Sequence, residues 1–515
     1  MVRNPGGASS SPPWTARLPL LSDAAAFAAR DGAAIAIDTN NPRYFTWRGA
    51  ATALLSSGEH YGALLNLDFD YRAYLAALAA DGFNLAQIFS GTYVEPDADL
   101  DNPPGSNIDG NTLSPRNNSY LSPWGIAKGS TKLNLTEYNS TYFERLVALA
   151  AAADERGVVL EVSLFCGYEV GHAAVWRASP FNPANNVQGV PVEPRQLYSL
   201  SAPAELLSVQ MEAARRIVRA LRPFDNVLVQ LAFMPSALGS DEGRAWGRSL
   251  AAVVAAADPL RLLVAPAAWA LPQPHADFVH RPTARPQTAA RPVLADSWGT
   301  LCANDSIGAF GVYLGAYWGW LLGGGAGLYN VDFSYTIGHE AGTRRDNYTR
   351  VTPSGAAYRA MVRAAAGFAR ALPLGRLEPR TDWVSPPLPS LAPRATTAAG
   401  ATAAGAKEMG GDGGDCDDVH ATFVNDSRRL RRLRVRLPAG PCEAEWTDAA
   451  TGATARGPPP TAPNGTDGGS GWRDLVVPQG GGVALACAIR CCAGGMGHGW
   501  WGHARTQDSR TRTVP

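Results

Sequence analysis

The chain has 515 residues, 45 basic and 45 acidic side chains, and only 17% charged residues. It is long enough for more than one domain. Its balanced charge, without a basic stripe, argues against nucleic-acid binding, and it contains no apolar run long enough to span a membrane.

Apolar strands alternate with amphipathic helical patterns through the first three quarters of the chain. Residues 226–236 are apolar and β-branched, and helical patterns precede them at 205–221 and follow them at 242–257. Such alternation indicates βα units with a buried parallel sheet. We predict strands at residues 52–57, 83–89, 158–166, 226–236, 261–268, 276–280, 292–298 and 327–333.

Eight such strands predict an α/β fold, a (β/α)8 TIM barrel with a C-terminal β-sandwich domain. A doubly wound open sheet is the alternative, but no Gly-x-Gly-x-x-Gly turn supports it. We predict a disordered segment at 1–32, the barrel at 33–378, a Pro/Ala/Gly-rich linker at 379–417, a small β-sandwich at 418–490 and a disordered tail at 491–515. The long loop at 90–139 is expected to be functional or disordered.

Two features favour a secretory route. Seven asparagines open Asn-x-Ser/Thr triplets, namely Asn117, Asn134, Asn139, Asn304, Asn347, Asn425 and Asn464. Five of the seven cysteines follow residue 415, which fits a disulfide in the terminal domain with the pairing left open. Residues 1–30 lack a clean signal peptide, so the expectation of a secreted or extracellular protein depends on the other two features.

Several separated motifs resemble cellulase-like glycoside hydrolases of the clan A type. They are Phe45-x-x-Arg48-Gly49, Ser57-Gly-Glu-His-Tyr-Gly62, Leu67-Asp-Phe-Asp-Tyr71, Asp81-Gly-Phe-Asn-Leu85, Asn111-Thr-Leu113 and Gly338-His-Glu-Ala-Gly342. The resemblance covers about residues 33–375, and the β-rich end resembles the sandwich often appended to these barrels. It implies a (β/α)8 barrel that acts on an oligo- or polysaccharide, with neither a cofactor nor a metal.

The resemblance also implies a retaining mechanism, in which two carboxyl groups face each other across the sugar. The acid/base normally lies in an Asn-Glu-Pro triplet after the fourth strand, where this chain has Phe233-Met234-Pro235. The nucleophile position after the seventh strand corresponds to Trp298, and the arginine usual on the second strand corresponds to Gln87. Both expected glutamates are therefore replaced, and we expect the mechanism to be lost.

Other side chains remain candidates at the predicted barrel mouth. The substitute acids are Asp296, Glu340 and Glu59, and the candidate sugar contacts are His60, Tyr61, Gln87, Glu169, His280, Trp298 and His339. Glu169 belongs to a loop that we expect to be solvated. Glu161 is expected to point into the barrel and pair with a base. Trp318 and Trp320, on a helical aromatic stripe, are expected to pack in the core.

Three functions remain open from the sequence. The first is a glycan-binding barrel that has lost hydrolysis. The second is a working glycoside hydrolase that uses substitute carboxylates at the spacing of roughly 6.5–9.5 Å required for inversion. The third is a structural or partner-binding extracellular protein.

Overall fold

The computed structural model describes residues 34–96, 110–116, 118–233, 238–279, 290–296, 310–345, 354–393, 418–425, 427, 430–437, 441–461, 471–479 and 484–491. The chain begins with a small antiparallel sheet of strands β1 (Ala36–Ile37), β2 (Phe45–Trp47) and β3 (Ala50–Thr52). Arg48 and Gly49 both adopt positive φ in the two-residue turn between β2 and β3, as a tight hairpin requires. Arg48 pairs with Asp225, at 3.1 Å, beside the start of a barrel strand.

Eight parallel strands form a nearly closed barrel, which confirms the predicted fold class. After β4 (Leu54–Gly58) and β5 (Leu85–Phe89), the chain forms a hairpin of β6 (Trp124–Ile126) and β7 (Leu133–Tyr138), which lies outside the barrel sheet. The other six barrel strands are β8 (Val159–Cys166), β9 (Val227–Phe233), β10 (Leu263–Ala265), β11 (His275–Val279), β12 (Val293–Asp296) and β13 (Gly327–Val331). Their hydrogen-bonded order is β4-β13-β12-β11-β10-β9-β8-β5.

One side chain bridges the remaining gap between β4 and β5. Asn84 accepts a hydrogen bond from the Leu55 backbone N–H at 2.8 Å and donates to the Ala53 carbonyl at 2.9 Å. Its own N–H donates to the Leu55 carbonyl at 3.3 Å. Asn84 thus satisfies backbone groups at the edge where β4 and β5 do not pair with each other.

Helices surround the barrel. They are α1 (Tyr71–Ala80), α2 (Ser140–Asp154), α3 (Ala173–Ala178), α4 (Ala204–Leu221), α5 (Asp241–Ala257), α6 (Phe310–Leu322) and α7 (Ala356–Arg370). Trp318 and Trp320 are buried on α6, as predicted. No helix among the described residues is long and apolar enough to cross a membrane.

The C-terminal part contains more strands than the sequence predicts. A six-stranded sheet has the order β14-β16-β17-β22-β19-β20, and a three-stranded sheet has the order β15-β18-β21. Their bounds are β14 (Leu377–Pro379), β15 (Val384–Ser385), β16 (Ser390–Pro393), β17 (Asp418–Val424), β18 (Arg432–Leu437), β19 (Cys442–Asp448), β20 (Thr454–Arg456), β21 (Gly471–Val476) and β22 (Leu485–Cys491). Strands β14 to β16 correct the predicted linker at 379–417, because its first part pairs with the sheets. The hairpin of β6 and β7 likewise adds regular structure to the long predicted loop.

The six-stranded sheet is covered on both faces. One face packs with the small sheet around a core that includes Trp446 and Leu475. The other face continues the barrel core: Phe423 stacks on Trp318 with ring centroids 5.8 Å apart, and the Trp318 indole N–H donates to the Ala449 carbonyl at 3.0 Å. Barrel and sheets therefore share an apolar interface rather than a flexible junction.

The structure decides two chemical features of this domain, namely the pairing of the expected disulfide and the placement of basic side chains. Cys442 and Cys491 lie directly opposite each other on β19 and β22 and form a disulfide. Strand β18 exposes Arg432, Arg434 and Arg436 on one face. The prediction that the chain has no basic stripe is therefore wrong for this strand, because charges that balance over the whole chain are segregated on one side of a sheet.

Candidate functional site

The carboxyl ends of the barrel strands define the candidate site, because catalytic groups of such barrels lie at this face. Met234, Trp298 and His280 fall in segments outside the described residues. Their sequence assignments therefore stay predictions, and the geometry below concerns their neighbours.

Glu59, which follows β4, organises the first loop. Its carboxylate accepts hydrogen bonds from the backbone N–H groups of Gly62 at 2.8 Å and Ala63 at 3.1 Å, and from the Thr112 hydroxyl. Burial raises the pKa of Glu59 to about 7. A Cβ on Gly62 would lie 2.2 Å from the Thr112 backbone, so only glycine permits this approach. Glu59 thus anchors two loops to each other.

Tyr61 reaches from this first loop across the barrel. Its backbone is left-handed, with φ of 63°, and its side chain is buried. The phenol hydroxyl donates to the carboxylate of Asp296 at the end of β12. Burial and the charge of Asp296 both raise the pKa of Tyr61 well above its ordinary value. The structure therefore brings together two of the predicted site residues, and it places them in a direct hydrogen bond.

Aromatic rings fill the space around Tyr61. Its ring stacks on Phe89, with centroids 4.8 Å apart, and lies 5.3 Å from Phe233 and 5.8 Å from Tyr329. Phe233 in turn lies 5.8 Å from Phe278. These five residues, here called the aromatic layer, come from β5, β9, β11, β13 and the first loop, so the layer spans the barrel. Sequence reasoning assigned no site role to the four residues other than Tyr61.

A polar layer lies inside the barrel among the same strands. Gln87 donates to Gln230 at 3.2 Å, and the Ser163 hydroxyl donates to the same Gln230 oxygen. Gln87 therefore belongs to an interior network with its amide directed at other strands. The Gln87 Oε1 and Gln230 Nε2 atoms have no partner among the described residues.

Glu161 points into the barrel as predicted, but the predicted basic partner is wrong. Its Oε1 atom is buried without a hydrogen-bond partner among the described residues. Burial, followed by the charge of Asp296, raises the pKa of Glu161 to about 8. Its charge-bearing neighbour is thus an acid, and burial and this neighbour both favour the protonated form of Glu161.

His60 belongs to a hydrogen-bonded chain at the rim. Its Nδ1 lies 2.9 Å from the side-chain oxygen Oδ1 of Asn111, and the side-chain Nδ2 of Asn111 donates to the Glu95 carboxylate at 2.9 Å. The rings of His60 and Phe333 make an edge-to-face contact, with their centroids 4.9 Å apart. Glu95 and Asn111 were not predicted as site residues, although both belong to the long loop at 90–139 that was expected to be functional or disordered.

Glu169 is fully buried, so the expectation of a solvated loop is wrong. The residue lies in a short 3-10 helix (Gly167–Val170) rather than an open loop. The Tyr198 hydroxyl donates to its carboxylate, and burial raises the pKa of Glu169 to about 7. Burial separates this carboxyl group from solvent.

His339 and Glu340 lie on the solvent side. His339 is exposed, with its Nδ1 3.0 Å from the Thr343 hydroxyl. Glu340 accepts from the Gly338 N–H at 3.0 Å and the Asp70 N–H at 3.5 Å, next to the start of α1. The three substitute acids thus occupy separate environments: Asp296 under Tyr61, Glu59 within its loops and Glu340 at the surface.

No group of three His, Cys, Asp or Glu side chains in the described part of the chain is arranged to hold a metal ion. What the site offers is a set of carboxyl groups bound by hydroxyl and backbone donors, beneath and beside aromatic rings.

Comparisons with known proteins agree with this architecture. No protein-family model matches the sequence, and no curated protein matches it. Among solved structures, a glycoside hydrolase aligns with a TM-score of 0.55 at 12% identity, over 89% of this chain and 97% of the other. A glycoside hydrolase family 5 protein from Bacteroides vulgatus ATCC 8482 aligns with a TM-score of 0.54 at 11% identity, over 89% and 93%.

The chain therefore has the (β/α)8 fold of clan A glycoside hydrolases, which confirms the resemblance inferred from its motifs. At identities of 11 and 12%, the likeness extends to the fold and not to the activity.

Proposed function

We propose that this chain is a carbohydrate-binding protein on a glycoside hydrolase barrel that has lost the retaining mechanism. The observation that carries the proposal is Tyr61, held across the barrel with its hydroxyl on Asp296 and its ring in the aromatic layer. Asp296, the best surviving acid at the mouth, is thereby hydrogen-bonded to Tyr61 and covered by the aromatic layer.

The replaced positions support the same conclusion chemically. A retaining enzyme needs an acid/base and a nucleophilic carboxylate about 5–5.5 Å apart. Met234 has no proton to transfer and Trp298 forms no glycosyl ester. Positioned acid–base catalysis alone contributes about 10²–10⁴ in rate, and loss of the nucleophile removes the covalent route as well.

Carbohydrate binding is supported by the fold and by the rim. The solved structures that align over most of the chain are glycoside hydrolases. His60 lies in the rim network, while His339 and Glu340 present polar groups to solvent. Hydrogen-bonding side chains at such a rim suit sugar hydroxyls. The disulfide and the seven Asn-x-Ser/Thr triplets support a secreted protein.

The purified full chain is to be assayed on a glycan array and on a panel of aryl glycosides and polysaccharides. We expect selective glycan binding without release of reducing sugar. A His60→Ala variant, next to the aromatic layer, is expected to weaken binding. No binding and no turnover on any glycan would instead favour a structural role.

One observation favours the alternative of a working hydrolase. Glu161 lies near Asp296 and its pKa is raised to about 8, and a carboxyl group with a raised pKa beside a second acid is the pattern of a general acid. Glu161, however, lies within β8 and not at the carboxyl end of the strand. Its register partner on β5 is Gln87. Turnover that is abolished by both Glu161→Gln and Asp296→Asn would establish this alternative and refute the proposal.

A further inference from the structure

The outer face of the three-stranded sheet carries a concentrated positive charge. On β18, Arg432, Arg434 and Arg436 are exposed, and the residues between them are buried. The side chains of a strand alternate between faces, so the three guanidinium groups lie in one row with steps of about 6.6–6.8 Å. This row lies on the opposite side of the small sheet from its core.

Large apolar side chains flank the row on β21. Trp472 lies directly opposite Arg436, and Val476 lies opposite Arg432. Trp472 is 40% exposed and Val476 is 41% exposed, and Trp472 is the one aromatic among the exposed large hydrophobic residues of the described chain. We call the five residues Arg432, Arg434, Arg436, Trp472 and Val476 the arginine face.

The row continues to the other edge of the sheet. The guanidinium of Arg436 lies 5.7 Å from the ring centroid of Trp383, next to β15. Arg436 is thus placed between an aromatic residue on each neighbouring segment, Trp383 and Trp472. A cation near an aromatic ring is held in position by the ring quadrupole, which limits the freedom of this long side chain.

Acidic groups neutralise only part of this charge. Asp474 lies 3.4 Å from Arg434, whose side chain remains 63% exposed. Asp382 pairs with Arg380 at 2.8 Å, and the charge of Arg436 contributes to the lowered pKa of Asp382. No ion pair joins Arg432 or Arg436 to a carboxylate among the residues with described positions. The arginine face therefore keeps a net positive charge.

We propose that the arginine face binds a polysaccharide that carries carboxylate or sulfate groups. A guanidinium fork matches the paired oxygens of these anions, and a row of such forks matches charges repeated along a linear chain. The exposed indole of Trp472 offers an apolar surface to the C–H face of a sugar ring.

A saccharide is favoured over a nucleic acid because of the disulfide in the same domain. Cys442 and Cys491 join two strands of the facing sheet. Disulfides persist in oxidising compartments, where the abundant linear polyanions are acidic glycans. The proposal does not depend on the barrel mouth, because none of the residues of the arginine face belongs to the candidate site.

Affinity measurements with the full-length chain test this site. The probes are polygalacturonate for carboxylates, dextran sulfate for sulfates, neutral dextran, and oligothymidylate as a polyanion that is not a saccharide. The variants are Arg432→Gln/Arg434→Gln/Arg436→Gln and, separately, Trp472→Ala. The matched control is Arg195→Gln/Arg219→Gln/Arg222→Gln, which removes three exposed charges from the barrel.

We expect the wild-type chain to bind at least one acidic polysaccharide more tightly than dextran. The triple arginine variant should weaken this binding by about tenfold or more and reduce its salt dependence, while the control stays within about twofold. Trp472→Ala should weaken binding at both low and high salt, because its contribution is not ionic. Thermal melts of all variants verify that the fold is kept.

Three results would overturn the proposal. One is an equal loss of affinity in the control, which would indicate non-specific charge attraction. Another is tighter binding of oligothymidylate than of either acidic polysaccharide, which would assign the face to nucleic acid. The third is no binding of any acidic polysaccharide. Failure of neutral-glycan binding at the barrel mouth would not affect these outcomes.

Discussion

The hydroxyl of Tyr61 and the carboxylate of Asp296 are hydrogen-bonded across the interior of the barrel, although 235 positions separate them in the chain. Both residues lie at strand ends where a hydrolase of this fold would hold a sugar. The bond gives the Asp296 carboxylate a donor within the protein, so it contributes to the stability of the barrel mouth.

Tyr61→Phe should destabilise the protein without changing the packing of the ring. The change leaves the buried Asp296 carboxylate without this donor, and a buried group that loses its partner costs about 1–3 kcal/mol. Urea unfolding at pH 7 measures the loss. The matched control is Tyr317→Phe, because the buried Tyr317 hydroxyl has no partner among the described residues and its removal should cost little. Equal losses in the two variants would show that the Tyr61 bond contributes nothing specific.

Glu161 should make folding stability fall as the pH rises. Its pKa rises from 4.5 to about 8 on folding, so the folded state holds the proton more tightly than the unfolded chain. Stability from this group is complete below about pH 4.5 and decreases through about pH 8, by at most about 1.4 kcal/mol per pH unit. Glu161→Gln stays neutral, so it should match the wild type near pH 4.5 and exceed its stability near pH 8.

Unfolding curves at several pH values between 4.5 and 8.5 check this prediction. Glu59 and Glu169, whose pKa values are raised to about 7, act in the same direction and leave a residual slope in the variant. Parallel stability curves for wild type and Glu161→Gln would mean that Glu161 titrates normally in the folded protein.

Asn84→Ala should open the seam between β4 and β5. The substitution removes the partners of the Leu55 N–H and the Ala53 carbonyl, and each unsatisfied group costs about 1–3 kcal/mol. Amide exchange at Leu55 should accelerate along with a loss of global stability. Asn118→Ala, at an exposed asparagine, is the control and should change neither quantity. Unchanged protection of Leu55 in Asn84→Ala would contradict the proposed role in closure.

Removal of the Cys442–Cys491 disulfide should destabilise the sheet domain. The bond closes a loop with a sequence separation of 49, and disulfides of such loops typically contribute about 2–4 kcal/mol. Cys442→Ser/Cys491→Ser should lower the urea midpoint by a corresponding amount, and reduction should lower the midpoint of the wild type but not that of this variant. The buried free Cys166 in the barrel gives the control Cys166→Ala, which should retain its sensitivity to the reductant. A wild type whose midpoint does not respond to reductant would contradict the prediction.

Local patterns predicted the barrel strands well because each is a short apolar run bounded by turn residues. The predicted fourth strand at 226–236 contains β9 (Val227–Phe233), and the predicted eighth strand at 327–333 contains β13 (Gly327–Val331). The sheet domain was harder, since β14, β15 and β20 are two or three residues long. Strands of that length carry no periodicity of their own and form only against a neighbour.

The candidate site shows the same division between what the sequence predicts and what only the structure reveals. The sequence by itself predicted the barrel, which the structure confirms, and it predicted that Met234 and Trp298 stand where two glutamates are expected, which stays a prediction. Only the tertiary structure decided that Asp296 meets Tyr61, that Glu161 has an acid rather than a base nearby, and that Glu169 is buried. The physical reason is that strand periodicity specifies which face a side chain points to, whereas its partner is set by the closure of eight strands around a common axis.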